Sequence, residues 1–290
     1  MKLGIVLNRV NFEEKQIIKA CDALGVQAVQ FNNQNMSLSL THQKDIDPQV
    51  DVFLQRSLSH TRSFYTTAIL ESKGYKILNN YYCVSMCGDK LHSSLLLGEA
   101  GIPTPKTYVS FSPEEGLKTS NEKLKYPVIC KPVIGSWGRM VAKLNDSDAA
   151  TAVYEARDNL GDIFQQVLYM QEYVDTTKVR KDAPTDIRAF WLGDHIVAAM
   201  GRYHPPEDFR SNIAIGGTAK PYEITDKLQQ FCKKIANTFK GEILGIDLME
   251  TEKGWTCIEV NGTPGFQGIT EACSVNIGEK IVEYLKTKYG

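Results

Sequence analysis

Two carboxylates and an amide have the types and spacing of ligands for a hard metal ion: Asp247 in Gly-Ile-Asp-Leu, and Glu259 and Asn261 in Cys-Ile-Glu-Val-Asn-Gly. Residues two apart on a strand point to one face, so Glu259 and Asn261 project together, and an adjacent strand can bring in Asp247. An all-oxygen set suits Mg2+, which keeps waters and shares its coordination with nucleotide phosphates. Two edge-strand acids facing water would share this spacing; the apolar runs 244–248 and 258–260 favour the metal.

Candidate anion-binding groups lie upstream. Lys131 ends the apolar run Pro127-Val-Ile-Cys130 and precedes Pro132. A lone strand lysine usually carries its charge back to water. Here Gly135, Ser136, Trp137 and Gly138 follow, with backbone N–H groups able to approach a phosphate closely, and Arg139 adds a guanidinium fork. Glu172, Tyr173 and Val174 leave a strand toward a loop, where exposed backbone groups can meet an adenine edge. Arg188 in Asp-Ile-Arg and Arg202 in Gly-Arg-Tyr read either as surface ion pairs or, sharing one face, as stabilisers of a transferring phosphoryl group. The segment 211–217 reads as an ordinary turn or as a substrate gate carrying Asn212.

The remaining composition narrows the classes. With 33 Lys+Arg against 34 Asp+Glu, nothing global attracts nucleic acid or an anionic membrane. No segment approaches the ~20 apolar residues of a membrane span, which points to a cytoplasmic protein. Cys83 and Cys87 are the close pair among the seven cysteines, with no second pair to complete a zinc set, so reduced thiols are expected. A thiol enzyme using Cys87 or Cys130 lacks a histidine nearby in sequence. A nucleotide-binding regulator would not need the full Asp/Glu/Asn set.

The elements that must position these groups alternate at first: strands near 3–7, 27–31, 50–55 and 76–79, with helices at 13–24 and 62–73. That pattern predicts a parallel sheet covered by helices, and neither standard glycine-rich phosphate loop occurs in it. A helix from Lys90 to about Ala100 leads past Gly101, Pro103 and Pro105 into a β-rich unit with strands at 108–111, 128–132, 141–144 and 169–173 and a helix at 149–159. Strands at 186–192, 196–203, 244–250 and 256–261, with helices at 226–239 and 277–286, predict an α+β unit. The charged stretch 176–185 reads as a solvent-exposed loop between units. The expected division is 1–87, 88–175 and 176–290, the fold class α/β and α+β.

Taken together, Lys90, Lys131, residues 135–139, Glu172, Asp186-Ile-Arg188, Arg202, Asn212, Asp247, Glu259 and Asn261 stand in the order and approximate spacing of RimK-like ATP-grasp ligases, a resemblance over almost the whole chain. The motifs Cys87-Gly-Asp-Lys90, Lys131-Pro-Val-Ile-Gly-Ser-Trp-Gly-Arg139, Gln171-Glu-Tyr-Val174 and Arg210-Ser-Asn-Ile-Ala-Ile-Gly-Gly-Thr218 are similar to the carrier-protein ligases of the LysX and ArgX type in lysine and arginine biosynthesis, the last one closer to the arginine branch. The resemblance implies a three-lobed ATP-grasp fold with an N-terminal pre-ATP-grasp domain, central lid 88–175, and ATP between the central and C-terminal lobes. It implies phosphate contacts from Lys90 and Lys131, adenine at Glu172, Tyr173 and Val174, and two Mg2+ ions, with Mn2+ as an alternative, at Asp247, Glu259 and Asn261. Arg188 and Arg202 would hold an acyl phosphate. The implied partners are an acidic amino-group carrier protein ending in glutamate and an amino acid, glutamate or α-aminoadipate, with a homo-oligomeric enzyme. Lys178, Arg180 and Lys181 are candidates to meet the acidic tail. Gly-Thr-Pro-Gly-Phe after Asn261 departs from the carrier-protein ligases, which commonly carry a glutamate before that phenylalanine. It is similar to the wider group, whose substrates include ribosomal protein tails and pterin or deazaflavin coenzymes.

Overall fold

The computed structural model describes residues 1–41, 46, 49–135, 138–205, 208–211 and 216–290. In chain order the N-terminal part contains β1 (Lys2–Leu7), α1 (Phe12–Ala23), β2 (Gln27–Asn32), β3 (Val52–Gln55), α2 (His60–Ser72), β4 (Ile77–Leu78), α3 (Tyr81–Gly88) and α4 (Lys90–Glu99). Next come β5 (Thr107–Ser110), α5 (Pro113–Thr119), β6 (Val128–Lys131), β7 (Ala142–Leu144), α6 (Ser147–Leu160) and β8 (Leu168–Glu172). The last part holds β9 (Asp186–Leu192), β10 (His195–Tyr203), β11 (Thr218–Pro221), α7 (Asp226–Phe239), β12 (Ile243–Thr251), β13 (Gly254–Asn261), α8 (Gln267–Cys273) and α9 (Ile277–Tyr289). The expected N-terminal sheet is parallel, in the order β2-β1-β3-β4. The other two sheets among the described residues are antiparallel, β5-β8-β6-β7 and β11-β10-β9-β12-β13.

Strand alternation explains why one β-strand serves two environments. On β9, Ile187, Ala189 and Trp191 enter a core with Leu244, Ile246 and Leu248 of β12 and the apolar stripe Leu228, Cys232, Ile235, Ala236 and Phe239 of α7. The intervening residues face the other way: Phe190 and Leu192 join a second core, and Asp186 and Arg188, nearer the strand start, line a cleft. That second core mixes Leu3, Ile5 and Ile17 of the N-terminal sheet unit with Ile277, Ile281 and Leu285 of α9. The middle sheet repeats the device. Val128, Cys130, Leu168 and Met170 pack under α6, while Ile129, Lys131 and Gln171 line the cleft from above.

Helix starts follow their caps. Asp89 accepts the N–H groups of Leu91 (2.8 Å) and His92 (3.2 Å), fixing Lys90 as the first residue of α4. Thr225 caps α7 in the same way. One expectation is corrected: 176–185 is not simply a solvent-exposed loop. Thr176 and Ala183 are buried, because the segment packs against β12 and lines the cleft.

Candidate functional site

Between the two antiparallel sheets lies a cleft of about 420 Å3, within the roughly 300–1,000 Å3 typical of small-molecule pockets. Its floor is a register of charges on one face of the larger sheet. Arg202 pairs with Asp186 across β10 and β9, Arg188 with Asp247 across β9 and β12, and Asp247 with Glu259 across β12 and β13. Asn261 stands opposite Gly245 in the next row. The expected juxtaposition of Asp247 with Glu259 and Asn261 is therefore present.

The charges are paired. Arg188 grips Asp247 with both Nε and Nη2, the latter at 2.7 Å, and Arg202 reaches Asp247 at 3.2 Å while its Nε donates to Asp186 at 2.5 Å. Burial pushes the Asp247 carboxyl up, but Arg188 and Arg202 outweigh it and hold the group below the usual carboxylate range. Asp186 goes the other way. Burial, reinforced by Asp247, raises it despite Arg202 and a hydrogen bond from Ser211. Of the two aspartates, Asp247 is thus the firmly ionised one.

The roof carries Lys131, buried, whose Nζ donates to Gln171 Oε1 at 2.8 Å and lies 5.5 Å from the centre of the Tyr169 ring. Burial lowers its pKa from the ordinary 10.5 to about 8, with Glu259 opposing and Lys90 assisting. Lys90 donates to the Gly135 carbonyl (2.7 Å) and pairs with Glu259 (3.0 Å). At the outer end, Glu172 receives the Lys106 N–H at 2.8 Å, and Tyr173 and Val174 line the cleft with Ile129, Pro105 and Met249. Gly135, Gly138 and Arg139 also line it. Ser136, Trp137 and Asn212 lie outside the described residues.

Asp186, Gln171, Ser211 and Arg210 stand inside motifs visible in the sequence, but sequence reasoning gave them no individual role. The signal for Asp186 was its place two residues before Arg188 on a strand. Gln171 likewise follows Lys131's neighbour Tyr169 by two. Arg210 joins Asp208 (2.6 Å) and the Gly138 carbonyl (3.1 Å), tying one side of the cleft to the glycine segment. Of the candidate rim cations, Arg180 pairs with Glu250 through two 3.0 Å contacts and with Asp182.

This architecture is shared with solved ATP-grasp enzymes. The ATP-grasp ligase PsnB, solved with a phosphomimetic variant of its minimal precursor, Mg and ADP, superposes with a TM-score of 0.76 at 19% identity, covering 99% of this chain and 98% of that one. An ATP-grasp domain whose relatives are themselves ligases marks an ATP-dependent ligase. Residues 87–285 match the RimK-like ATP-grasp domain and residues 3–86 the LysX preATP-grasp domain, and the chain belongs to the RimK-like ATP-grasp family. Among its relatives is the glutamate–LysW ligase ArgX of Sulfurisphaera tokodaii, 32% identical over 100% of this chain and 99% of its own length. The α-aminoadipate–LysW ligase LysX of the same organism is 33% identical over 99% of this chain and 100% of its own.

Proposed function

We propose that the protein joins glutamate or α-aminoadipate, through its amino group, to the C-terminal glutamate of an acidic amino-group carrier protein, by way of an acyl phosphate. Two observations support this reading: the charge register facing Lys131, and full-length similarity to ligases of both amino acids. In it, Lys90 and Lys131 hold phosphates, and Glu172, Tyr173 and Val174 hold adenine. Arg188 and Arg202 hold the acyl phosphate and the oxyanion formed on amine attack, where preformed donors are worth most. Asn212 completes the set of catalytic candidates.

The oxygen donors fit a hard cation. Asp247 and Glu259 are opposed in register, and Asn261 Nδ2 donates to the Gly245 carbonyl at 3.3 Å, leaving its amide oxygen as an acceptor. Asp247, Glu259 and Asn261 would hold two Mg2+ ions, or Mn2+ in their place, which supply charge neutralisation for the transferring phosphoryl group. The reading carries with it a cytoplasmic, homo-oligomeric enzyme. No helix among the described residues is long and apolar enough to cross a membrane.

The direct test is ATP- and Mg2+-dependent phosphate release with glutamate or α-aminoadipate, with and without an acidic peptide ending in glutamate, followed by mass spectrometry of the peptide. One added residue is the expected product and names the amine. An unmodified peptide, with turnover on a coenzyme or ribosomal-tail substrate, would transfer the protein to the wider group.

A second test needs no acceptor. Burial brings the Lys131 pKa down to about 8, so near that pH part of the amine is neutral before ligand arrives, and phosphate charge raises its pKa. Binding ADP near that pH should therefore take up a fraction of a proton. Calorimetry in two buffers of different ionisation enthalpy measures this; identical apparent enthalpies would remove Lys131 from the phosphate site.

A further inference from the structure

Three parts of the N-terminal sheet unit converge on the residues that follow Asn261. Asn79 Nδ2 donates to the Gly262 carbonyl at 2.7 Å and to that of Ile243 at 2.6 Å. Arg56 Nη1 donates to the Pro264 carbonyl at 3.0 Å, and the same guanidinium lies 5.6 Å from the centre of the Phe266 ring. Glu13 Oε1 accepts the N–H groups of Phe266 (2.9 Å) and Gln267 (3.2 Å). Arg56 is itself held by Glu14 at 3.2 Å, an ion pair almost wholly removed from solvent. Such a pair adds little net stability over an apolar replacement; what it supplies here is a fixed geometry for the segment.

The other side of that segment meets the cleft. Pro264 packs on Gly245, and a Cβ at Gly245 would stand 2.8 Å from the Pro264 ring and 3.3 Å from Arg188 Nη1. Only a residue without a side chain lets the proline and the guanidinium approach the strand together. Pro264 and the Arg188 guanidinium thus both border Gly245, and the Pro264 carbonyl is held by Arg56, with Glu13 fixing the residues just beyond it.

We propose that Glu13 and Arg56 are positioning residues of the ligase reaction. Through the 262–267 segment they hold Arg188 where it meets the acyl phosphate, so the N-terminal unit sets turnover without touching the nucleotide. The assignment rests on the role given to Arg188 above. Glu13 is the residue to vary first, because it is partly exposed and its loss leaves the Arg56–Glu14 pair intact. Glu13→Ala should lower kcat between about tenfold and about a hundredfold, as small displacements of a catalytic group do. ADP affinity should stay within about twofold of the parent. Glu13→Gln, which keeps an acceptor oxygen, should recover most of the loss. Arg56→Lys, which keeps the charge beside Glu14, should show the same split.

Parallel loss of kcat and ADP affinity, or an unchanged kcat in Glu13→Ala, overturns the proposal. A readout independent of substrate accompanies these: the Nε–H resonance of Arg188, assigned with Arg188→Lys, should shift in Glu13→Ala and return in Glu13→Gln. If that resonance does not move, the clamp does not position Arg188. If it moves while the parent enzyme ligates neither amine, the clamp stands and the substrate reading fails.

Discussion

Arg202→Ala is expected to reduce kcat by about 10²–10³, the loss that follows removal of one preformed oxyanion donor, and to destabilise the fold as well. Arg202 is buried between Asp186 and Asp247. Its removal leaves Asp186 with the Ser211 hydroxyl and Asp247 with Arg188. Breaking a buried ion pair from one side costs about 3–5 kcal/mol, because the remaining charge stays desolvated. The sign of the pH dependence follows. With Arg202 gone both carboxyls titrate higher than in the parent, Asp186 from a position already above the ordinary range, so the folded variant takes up protons that the parent does not and its stability deficit shrinks as the pH falls. Urea denaturation at neutral and mildly acidic pH, beside a turnover assay, checks both halves. Full turnover in the variant would show that Arg202 does not act on the reaction.

Lys131→Met should separate activity from stability in the opposite sense. The variant is expected to lose about 10²–10³ in kcat/KM for ATP, yet to be as stable as the parent at neutral pH, or more so. The reason is the depressed pKa. Burial holds Lys131 at about 8 against the ordinary 10.5, so the folded state bears a penalty for the charged form of order 3 kcal/mol. The penalty is fully present below about pH 8 and is relieved as the pH climbs toward 10.5. The parent should therefore gain stability across that window and the methionine variant should not. Thermal melts from pH 7 to 10 with and without the substitution decide the point. A variant that melts well below the parent at pH 7 would mean that Lys131 is stabilised in its pocket rather than strained by it.

How much of this was legible in the sequence depended on the range of the physics involved. The parallel N-terminal sheet and the strands of the larger sheet could be read because their apolar residues follow a local period, as in the alternation Ile187, Ala189, Trp191. Helix α7 was legible to the residue, since its stripe repeats at three and four. The short elements were not. Helix α3 is apolar almost throughout and shows no stripe, and β11 is an edge strand with exposed residues and no alternation. Helix α5 was signalled by Ser112-Pro113-Glu114-Glu115, a cap followed by proline and acids, and was overlooked. At the site, the spacing of Glu259 and Asn261 gave their shared face, and adjacent strands supplied Asp247. The pairing of Arg188 with Asp247, 59 residues apart, required the strand order, which no local window contains. Burial of Lys131 beneath the middle sheet is likewise a property of two packed layers.

The core shared by the first and last parts of the chain bears on how the protein is made. Ile17 and Cys21 of α1 are buried with Ile277, Ile281 and Leu285 of α9, and Glu13 binds the backbone of Phe266 across 253 residues. A ribosome delivers α1 first and α9 only after nearly everything else has emerged. The N-terminal sheet can form early, but its helix-covered face stays incomplete during translation, an interval in which exposed apolar surface invites chaperone binding. The middle sheet, whose core is drawn from residues 124–170, carries no such debt and can close on itself as soon as it leaves the exit tunnel.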